Sequence, residues 1–473
     1  MISARVSLVL VAILLILRAV MAALLPLSAD EAYYWLWSQH PAAGYFDHPP
    51  MIAWLIRAGT LLLGDTALGV RLMGVLLSLP ASWFVWRAAG LLLGDKERAG
   101  LAVLFFNLTL MIAVELLAAT PDMPSVVTSA AFLWCLAQVQ ATQNGKWWLA
   151  AGVAAGMGLL SKYSALFLGA GSLLWLVVDG RQRKWLASPW PYLGGLLALA
   201  IFLPNLLWQA AHHWQTFLFQ FGRVGAAHLT LRYLGEFLAA QMGMATPFIF
   251  VLMVAGLAAA TRRASPLLMP ALLAWTGLGY FLQHSLHDRV QGNWPCFLFP
   301  ALCVLAASAF APQGWKRWVS HLAAPLAALL LLAVYTQALL QPLHLKKDPL
   351  ARILGRHFAP VGDVAAAMVQ ARLAGAILTT DYETTAWLRW NHPGLKVVQV
   401  NEIHRYPDAP PAPFALLSGR LIYLAELRRD QHPTVQKDFA YLGFPTQLQT
   451  PTSLYMLYPV GRPKTQAPLG KMP

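Results

Sequence analysis

Charge is what this chain has least of. Only 11% of its 473 residues are Asp, Glu, Lys or Arg, against 58% hydrophobic, whereas a soluble domain carries about 25% charged residues. So little charge cannot clothe a water-soluble globule of this length, and so much apolar content excludes a disordered chain. It also removes nucleic acid as a partner, since the net charge of +14 has to be read first as membrane topology. Cysteine is nearly as scarce. Cys135, Cys296 and Cys303 all stand in apolar stretches, without pairs at metal-ligand spacing. They read as small buried hydrophobes, not as a disulfide framework. No internal repeat is visible across the apolar region. A polytopic α-helical membrane protein remains.

A spanning helix needs about 20 mostly apolar residues. By that measure about eleven transmembrane helices are expected, at 6–27, 67–93, 97–115, 122–142, 146–161, 163–179, 189–209, 237–260, 266–284, 293–311 and 317–341. The first has Arg5 ahead of it and no small-residue cleavage site before Asp30, so it reads as a retained anchor. Nineteen Lys and Arg precede position 341, and alternating the spans puts twelve on one side and six on the other, with Arg18 inside the first span. The clusters GDKER, GRQRK, TRR and GWKR share the richer side, which the positive-inside rule makes the cytoplasm. The N-terminus is then cytoplasmic and everything after 341 lies outside. Eight of the eleven acidic residues before 341 fall on the outer side, a bias topogenesis does not need and outer-face chemistry would explain.

The chain divides at the end of the apolar region. Residues 1–342 form the membrane domain, with a long first outer loop at 28–66, and 343–473 form a small extracytoplasmic α/β domain. In the latter, AILTT (376–380), LKVVQV (395–400), RLIYLAE (420–426) and SLYMLYP (453–459) read as strands. DYETTAWLRWN (381–391) and a stretch around 428–441 read as helices. No cluster there resembles a catalytic set, so the domain is expected to help bind or gate an acceptor.

The first outer loop is the richest stretch. Ser28 is placed as an N-cap, with Asp30 and Glu31 in the first turn of a helix running to about Gln39. Aromatic residues alternate with polar ones along it, as in an element lying in the membrane interface. Asp47-His48-Pro49-Pro50 breaks the chain before a second amphipathic helix, 51–62. On physical grounds Asp30 and Glu31 serve equally as a charged helix start or as a base facing a lipid-borne substrate.

Four segments taken in order resemble glycosyltransferase family 39: DEAYYW after the first span, the YFDHPP turn, TPD (120–122) and GLLSKYSALF (158–167). This is the GT-C superfamily group that contains protein O-mannosyltransferases and bacterial lipid A aminoarabinose transferases. The resemblance covers most of residues 1–310. It implies a multi-pass enzyme of a bacterial inner membrane with the GT-C fold. Such an enzyme takes a sugar from a polyprenyl phosphate and passes it, with inversion, to an extracytoplasmic acceptor: lipid A, another envelope glycan or a protein hydroxyl. By the same resemblance Asp30 accepts the proton of the attacking hydroxyl, and Glu31 orients it or binds sugar hydroxyls. Asp47 matches the acidic position of a turn near a metal and the donor phosphate. His48 stands where that turn has a Lys, and a neutral imidazole is a weaker phosphate partner than an ammonium. Lys162 matches a family Lys on the donor phosphate. Its other reading is a residue snorkelling from a span end.

The departing polyprenyl phosphate gains negative charge, so cations aimed at it favour the transition state. Arg57, Arg223, Arg289 and Lys162 are the outer candidates. Arg18, costly within a span, is expected to face a polar interior. Asp122 reads equally as a helix cap or a sugar contact. His212-His213-Trp214 opens an aromatic interfacial run. Asp47 and His213 are the candidate ligands if a divalent metal takes part. HDRVQGNWP (287–295) gathers Arg289, Gln291, Asn293 and Trp294 at the start of the tenth span. A transporter, flippase or polymerase of lipid-linked saccharides is the alternative, but transporters usually show repeats and midplane ionisable sites.

Overall fold

The computed structural model describes residues 2–222, 229–262, 265–311, 313–314, 317–345, 348–450, 453–467 and 469–473. The chain folds into two compact units, one made of 1–23 and 47–335, the other of 24–46 and 336–473. The first outer loop is thus divided between them at Phe46 and Asp47.

The first unit is all helix. A helix lies at each of the eleven expected positions, and Ala67–Leu93, Asp122–Thr142 and Lys146–Ser161 have the expected ends. Among the described residues, five helices are long and apolar enough to cross a membrane singly: Ala4–Leu24, Ala67–Leu93, Asp122–Thr142, Pro189–Ala211 and Arg317–Leu340. The stretch 237–260 is not one straight span. It breaks into Arg232–Ala245 and Pro247–Arg262, bent by 108°. Thr246 between them has φ +66°, and a residue before proline is driven out of the helical region. The stretch 97–115 likewise divides at Thr109, whose ψ of 137° interrupts the helix.

Leucine, isoleucine and valine side chains stay exposed on the outer helices, among them Val9, Ile16, Leu196, Leu207 and Leu329. Bare apolar faces on that scale mark a partner or membrane surface, and on helices long and apolar enough to span a bilayer they fit lipid. This is a multi-pass membrane protein. Inside the unit, close helix approach depends on small residues. A Cβ on Gly152 would run into the Gly194 backbone, and one on Gly156 would meet Ala198 and Ile201. This small-xxx-small stripe lets Lys146–Ser161 lie directly on Pro189–Ala211. Arg18 is buried, as expected, donating to Asn107 Oδ1 at 3.3 Å, and Asn107 in turn bonds Ser82.

The second unit is α/β. Five strands, β1 (Ala376–Thr379), β2 (Val397–Gln399), β3 (Leu421–Glu426), β4 (Thr446–Gln449) and β5 (Leu454–Val460), form one sheet in the order β2-β1-β3-β5-β4. β1 runs parallel to β2 and β3, while β5 is antiparallel to β3 and β4. β1, β2 and β3 are buried throughout, because apolar clusters cover both faces of the sheet. Strand β4, TQLQ, escapes sequence reading because it is a polar, mostly exposed edge strand.

The helix Ala29–Gln39 packs within this second unit. Tyr33, Trp35 and Trp37 are buried, with Trp35 5.0 Å from Trp390 and Tyr33 4.8 Å from Tyr382, ring centre to ring centre. Its aromatic residues, read from the sequence as interfacial, meet aromatic protein partners instead.

Candidate functional site

Two groups of residues hold the candidate chemistry, one in each unit. In the second unit, Ser28 starts the helix Ala29–Gln39 with a complete capping box. Its hydroxyl accepts from the Glu31 amide at 3.2 Å, and Glu31 Oε2 accepts from the Ser28 amide at 2.9 Å. Such a box satisfies amide groups the first turn leaves unpaired. Glu31 is thus a buried structural acid. Its neighbour Asp30 is exposed and accepts at 3.0 Å from the hydroxyl of Tyr382. The two acids of one motif have separate employments.

Tyr382 opens the helix Tyr382–Asn391 directly after Asp381, whose Oδ1 caps that helix through the Thr384 amide at 2.9 Å. Glu402 Oε2 accepts from the Tyr382 amide at 2.8 Å. The Arg405 guanidinium lies 4.6 Å from the centre of the Tyr382 ring and 5.4 Å from that of Phe46, a cation–π arrangement. It also pairs with Glu402 at 3.3 Å. Tyr382, Glu402 and Arg405 were not singled out as site residues. DYETTAW is the densest polar run of the C-terminal region, and that was the only signal.

In the first unit, Pro121 turns the chain into the helix Asp122–Thr142. Asp122 does not cap it. Its Oδ1 takes the Lys162 ammonium at 2.6 Å and the Cys296 thiol at 3.0 Å, and its Oδ2 takes Asn293 Nδ2 at 2.9 Å. Both charged side chains are nearly buried, Lys162 at 14% and Asp122 at 5% exposed. Lys162 occupies the extended break between Lys146–Ser161 and Ala165–Val178, which explains why two short helices flank it. A lysine paired this way is no snorkelling residue. Cys296 is buried as expected, yet it belongs to a polar cluster and does not merely fill space. Tyr163, which follows Lys162, donates to Asn205 at 3.0 Å and accepts from Gln209 at 3.0 Å.

Asp47 is buried, and its main-chain carbonyl accepts from Gln220 at 2.6 Å. His48 and Arg57 are half-buried at and beyond the Pro-Pro turn. Arg289 is exposed and spends its guanidinium on Glu236 at 2.8 Å, which also holds Arg232 at 3.1 Å. Arg223 lies outside the described residues. His213 is exposed at φ +55°. Among the described residues, no three His, Cys, Asp or Glu side chains gather closely enough to hold a metal ion. The candidate ligands Asp47 and His213 therefore form part of no such group among the described residues.

Comparison with known proteins adds three findings. Residues 47–208 match the family described as dolichyl-phosphate-mannose-protein mannosyltransferase. The lipid A galacturonosyltransferase RgtD of Rhizobium johnstonii is 29% identical over 287 residues, covering 59% of this chain and 59% of that protein. The matched region thus spans less than two thirds of that relative's length. Crystal structures of ArnT from Cupriavidus metallidurans superpose with TM-scores of 0.66 for the apo state and 0.63 for the form bound to undecaprenyl phosphate. Each is 18% identical and covers 95% of this chain and 97% of ArnT. The fold is shared along nearly the whole length, and the expected resemblance to GT-C glycosyltransferases is found.

Proposed function

From the kinship of residues 47–208 with this mannosyltransferase family, we propose that the chain is an inverting glycosyltransferase using a polyprenyl-phosphate sugar. The observation that carries the reading is the division of labour in the Asp-Glu motif. Glu31 is consumed in capping, whereas Asp30 keeps an exposed carboxylate. A general base must be able to reach the proton it removes, and an exposed acid at a helix start meets that condition. In the proposed reaction the acceptor O–H bond breaks and its proton passes to Asp30. The acceptor oxygen bonds the anomeric carbon, and the glycosidic bond breaks with its electron pair leaving on the phosphate oxygen.

The donor carrier proposed is undecaprenyl phosphate, the lipid bound in the similar ArnT structure. The acceptor proposed is lipid A, on which the curated relative RgtD is named as acting. Asp47, His48, Asp122, Lys162, Arg57 and Arg289 are proposed to contact donor or acceptor. Residues 1–342 are proposed as the membrane domain and 343–473 as an extracytoplasmic one, in a bacterial inner membrane with the N-terminus cytoplasmic. The transport and polymerase alternatives gain no support from the comparisons.

The test is a panel of undecaprenyl-phosphate sugars, with galacturonic acid, aminoarabinose and mannose as heads, offered with lipid A to the purified protein. Transfer of one of them is expected, and Asp30→Asn should lower it by about 10²–10⁴-fold, the usual weight of a general base. No transfer from any of the three, or full activity of a folded Asp30→Asn protein, overturns the reading. A reporter fused after Pro342 checks the orientation and should lie outside the cytoplasm.

A further inference from the structure

The Tyr382 hydroxyl reaches Asp30 across 352 residues of sequence, and the surrounding structure fixes it there. In the sheet, β1 has β2 on one side and β3 on the other, so the order of the parallel strands reverses at β1. Open α/β sheets present functional groups beyond the carboxyl ends of their strands at such a switch point. Asp381 and Tyr382 follow β1 there, and Arg429 follows β3. Arg429 ties the two together, bonding Glu383 at 2.6 Å and Asp381 at 3.4 Å. With the Glu402 carboxylate on its amide, Arg405 on its ring and Tyr33 beside it, Tyr382 has its backbone and ring held. The hydroxyl is the part left to act on Asp30. Burial, and next the neighbouring Asp30 and Glu383 carboxylates, push the phenol well above its ordinary value. It therefore remains a donor at any working pH.

We propose that Tyr382 is a positioning residue for Asp30, supplied by the C-terminal α/β segment, that fixes the carboxylate's orientation for proton abstraction. The proposal rests on the reading of Asp30 as the base. A hydrogen bond donated to a carboxylate favours its charged form, and it also fixes which oxygen is held and which is left toward an acceptor. Tyr382 itself transfers no proton. The C-terminal segment thereby contributes to the chemistry as well as to any binding of acceptor. Among the described residues, the other titratable or charged groups that face the pair include Tyr34 on the Asp30 helix, Glu383 beside Tyr382, Glu402 and Arg405 on the segment after β2, and Arg429 after β3. None of these changes in the variants below.

The test uses the full chain in detergent with undecaprenyl-phosphate galacturonic acid and lipid A, or whichever donor of the panel above is transferred. Tyr382→Phe keeps the ring under Arg405 and removes only the hydroxyl. It should lower kcat by about 10- to 100-fold, the usual weight of a hydrogen bond to a charged group, with KM for the donor unchanged. The acid limb of the kcat/KM profile should move to higher pH, because the carboxylate has lost a donor. The double variant Asp30→Asn/Tyr382→Phe should be no slower than Asp30→Asn alone, since both act through one group. A wild-type rate and pH profile for Tyr382→Phe overturns the proposal, as does a rate loss that multiplies with that of Asp30→Asn. A lowered melting temperature with no shift of the acid limb would mean Tyr382 is only a packing residue, which also overturns it. If Asp30→Asn is itself fully active, the reading of the base falls. If Asp30→Asn is inactive while Tyr382→Phe is normal, only the role of Tyr382 falls.

Discussion

Lys162 and Asp122, 40 residues apart, meet at 2.6 Å in the interior of the helical unit. Neither charge is affordable there alone. Lys162 stands in a break between two helices, Asp122 at the first turn of another, and Asn293 and Cys296 complete the carboxylate's shell. The pair therefore fastens the starts and ends of helices that the sequence places far apart.

Removing one partner of such a pair leaves the other buried without its nearest counter-charge, at a cost of up to about 3–5 kcal/mol, lessened for Lys162 by the nearby Glu115. Lys162→Met and Asp122→Asn should each lower the melting temperature of the purified protein clearly. The combination should be less harmful than the sum of the two, because the second change removes the stranded charge. Additive losses in a double-mutant cycle would show that the two side chains are not coupled as described.

The outline of the fold was readable because apolar runs and their interruptions are strong, local signals. The helices at 67–93, 122–142 and 146–161 have the ends read for them, and Lys162 itself marks the break after the last. What could not be read depends on partners. The spacing Ser28-x-x-Glu31 is itself a capping-box signature that the sequence carries, whereas the partner of Asp30, Tyr382, lies 352 residues on and no local pattern points to it. Nor could the sequence tell that Asp122 binds side chains from two other segments instead of capping its own helix. Cys296 was read from its apolar surroundings, which is correct for its burial and silent about the carboxylate beside it. Tyr382 owes its position to the order of the strands, which no single segment encodes.

The contact at Gly152 gives a sharp packing test. A side chain there must displace the Gly194 backbone, whereas Gly195, one residue on, has nothing within 4 Å of its would-be Cβ. Gly152→Leu should destabilise the protein by about 1–3 kcal/mol or more, the usual range for overpacking. Gly195→Leu should be nearly neutral. Thermal unfolding of the two variants compares them directly, and equal melting temperatures would contradict the close crossing of Lys146–Ser161 and Pro189–Ala211.

His357 makes the second unit sensitive to acid. Its ring is 5% exposed, and both ring nitrogens are buried without a hydrogen-bond partner. Burial, and then the Arg352 and Arg429 guanidinium groups, push its pKa down to about 4, from an ordinary value near 6.5. The unfolded chain therefore takes up a proton near pH 6.5, which the folded one refuses until about pH 4. Between these values the unfolded state binds more protons, so stability falls as pH is lowered through that window and is fully present above it. Hydrogen exchange in β1 and β3 should accordingly quicken between pH 7 and pH 5, beyond the change in intrinsic exchange rate. His357→Phe keeps an aromatic ring beside Phe358, whose ring centre lies 4.0 Å away, and removes the titrating group. The variant should lose most of that acid sensitivity. If wild type and variant weaken in parallel over this range, the sensitivity resides in other groups and His357 is already protonated, or already bonded, in the folded protein.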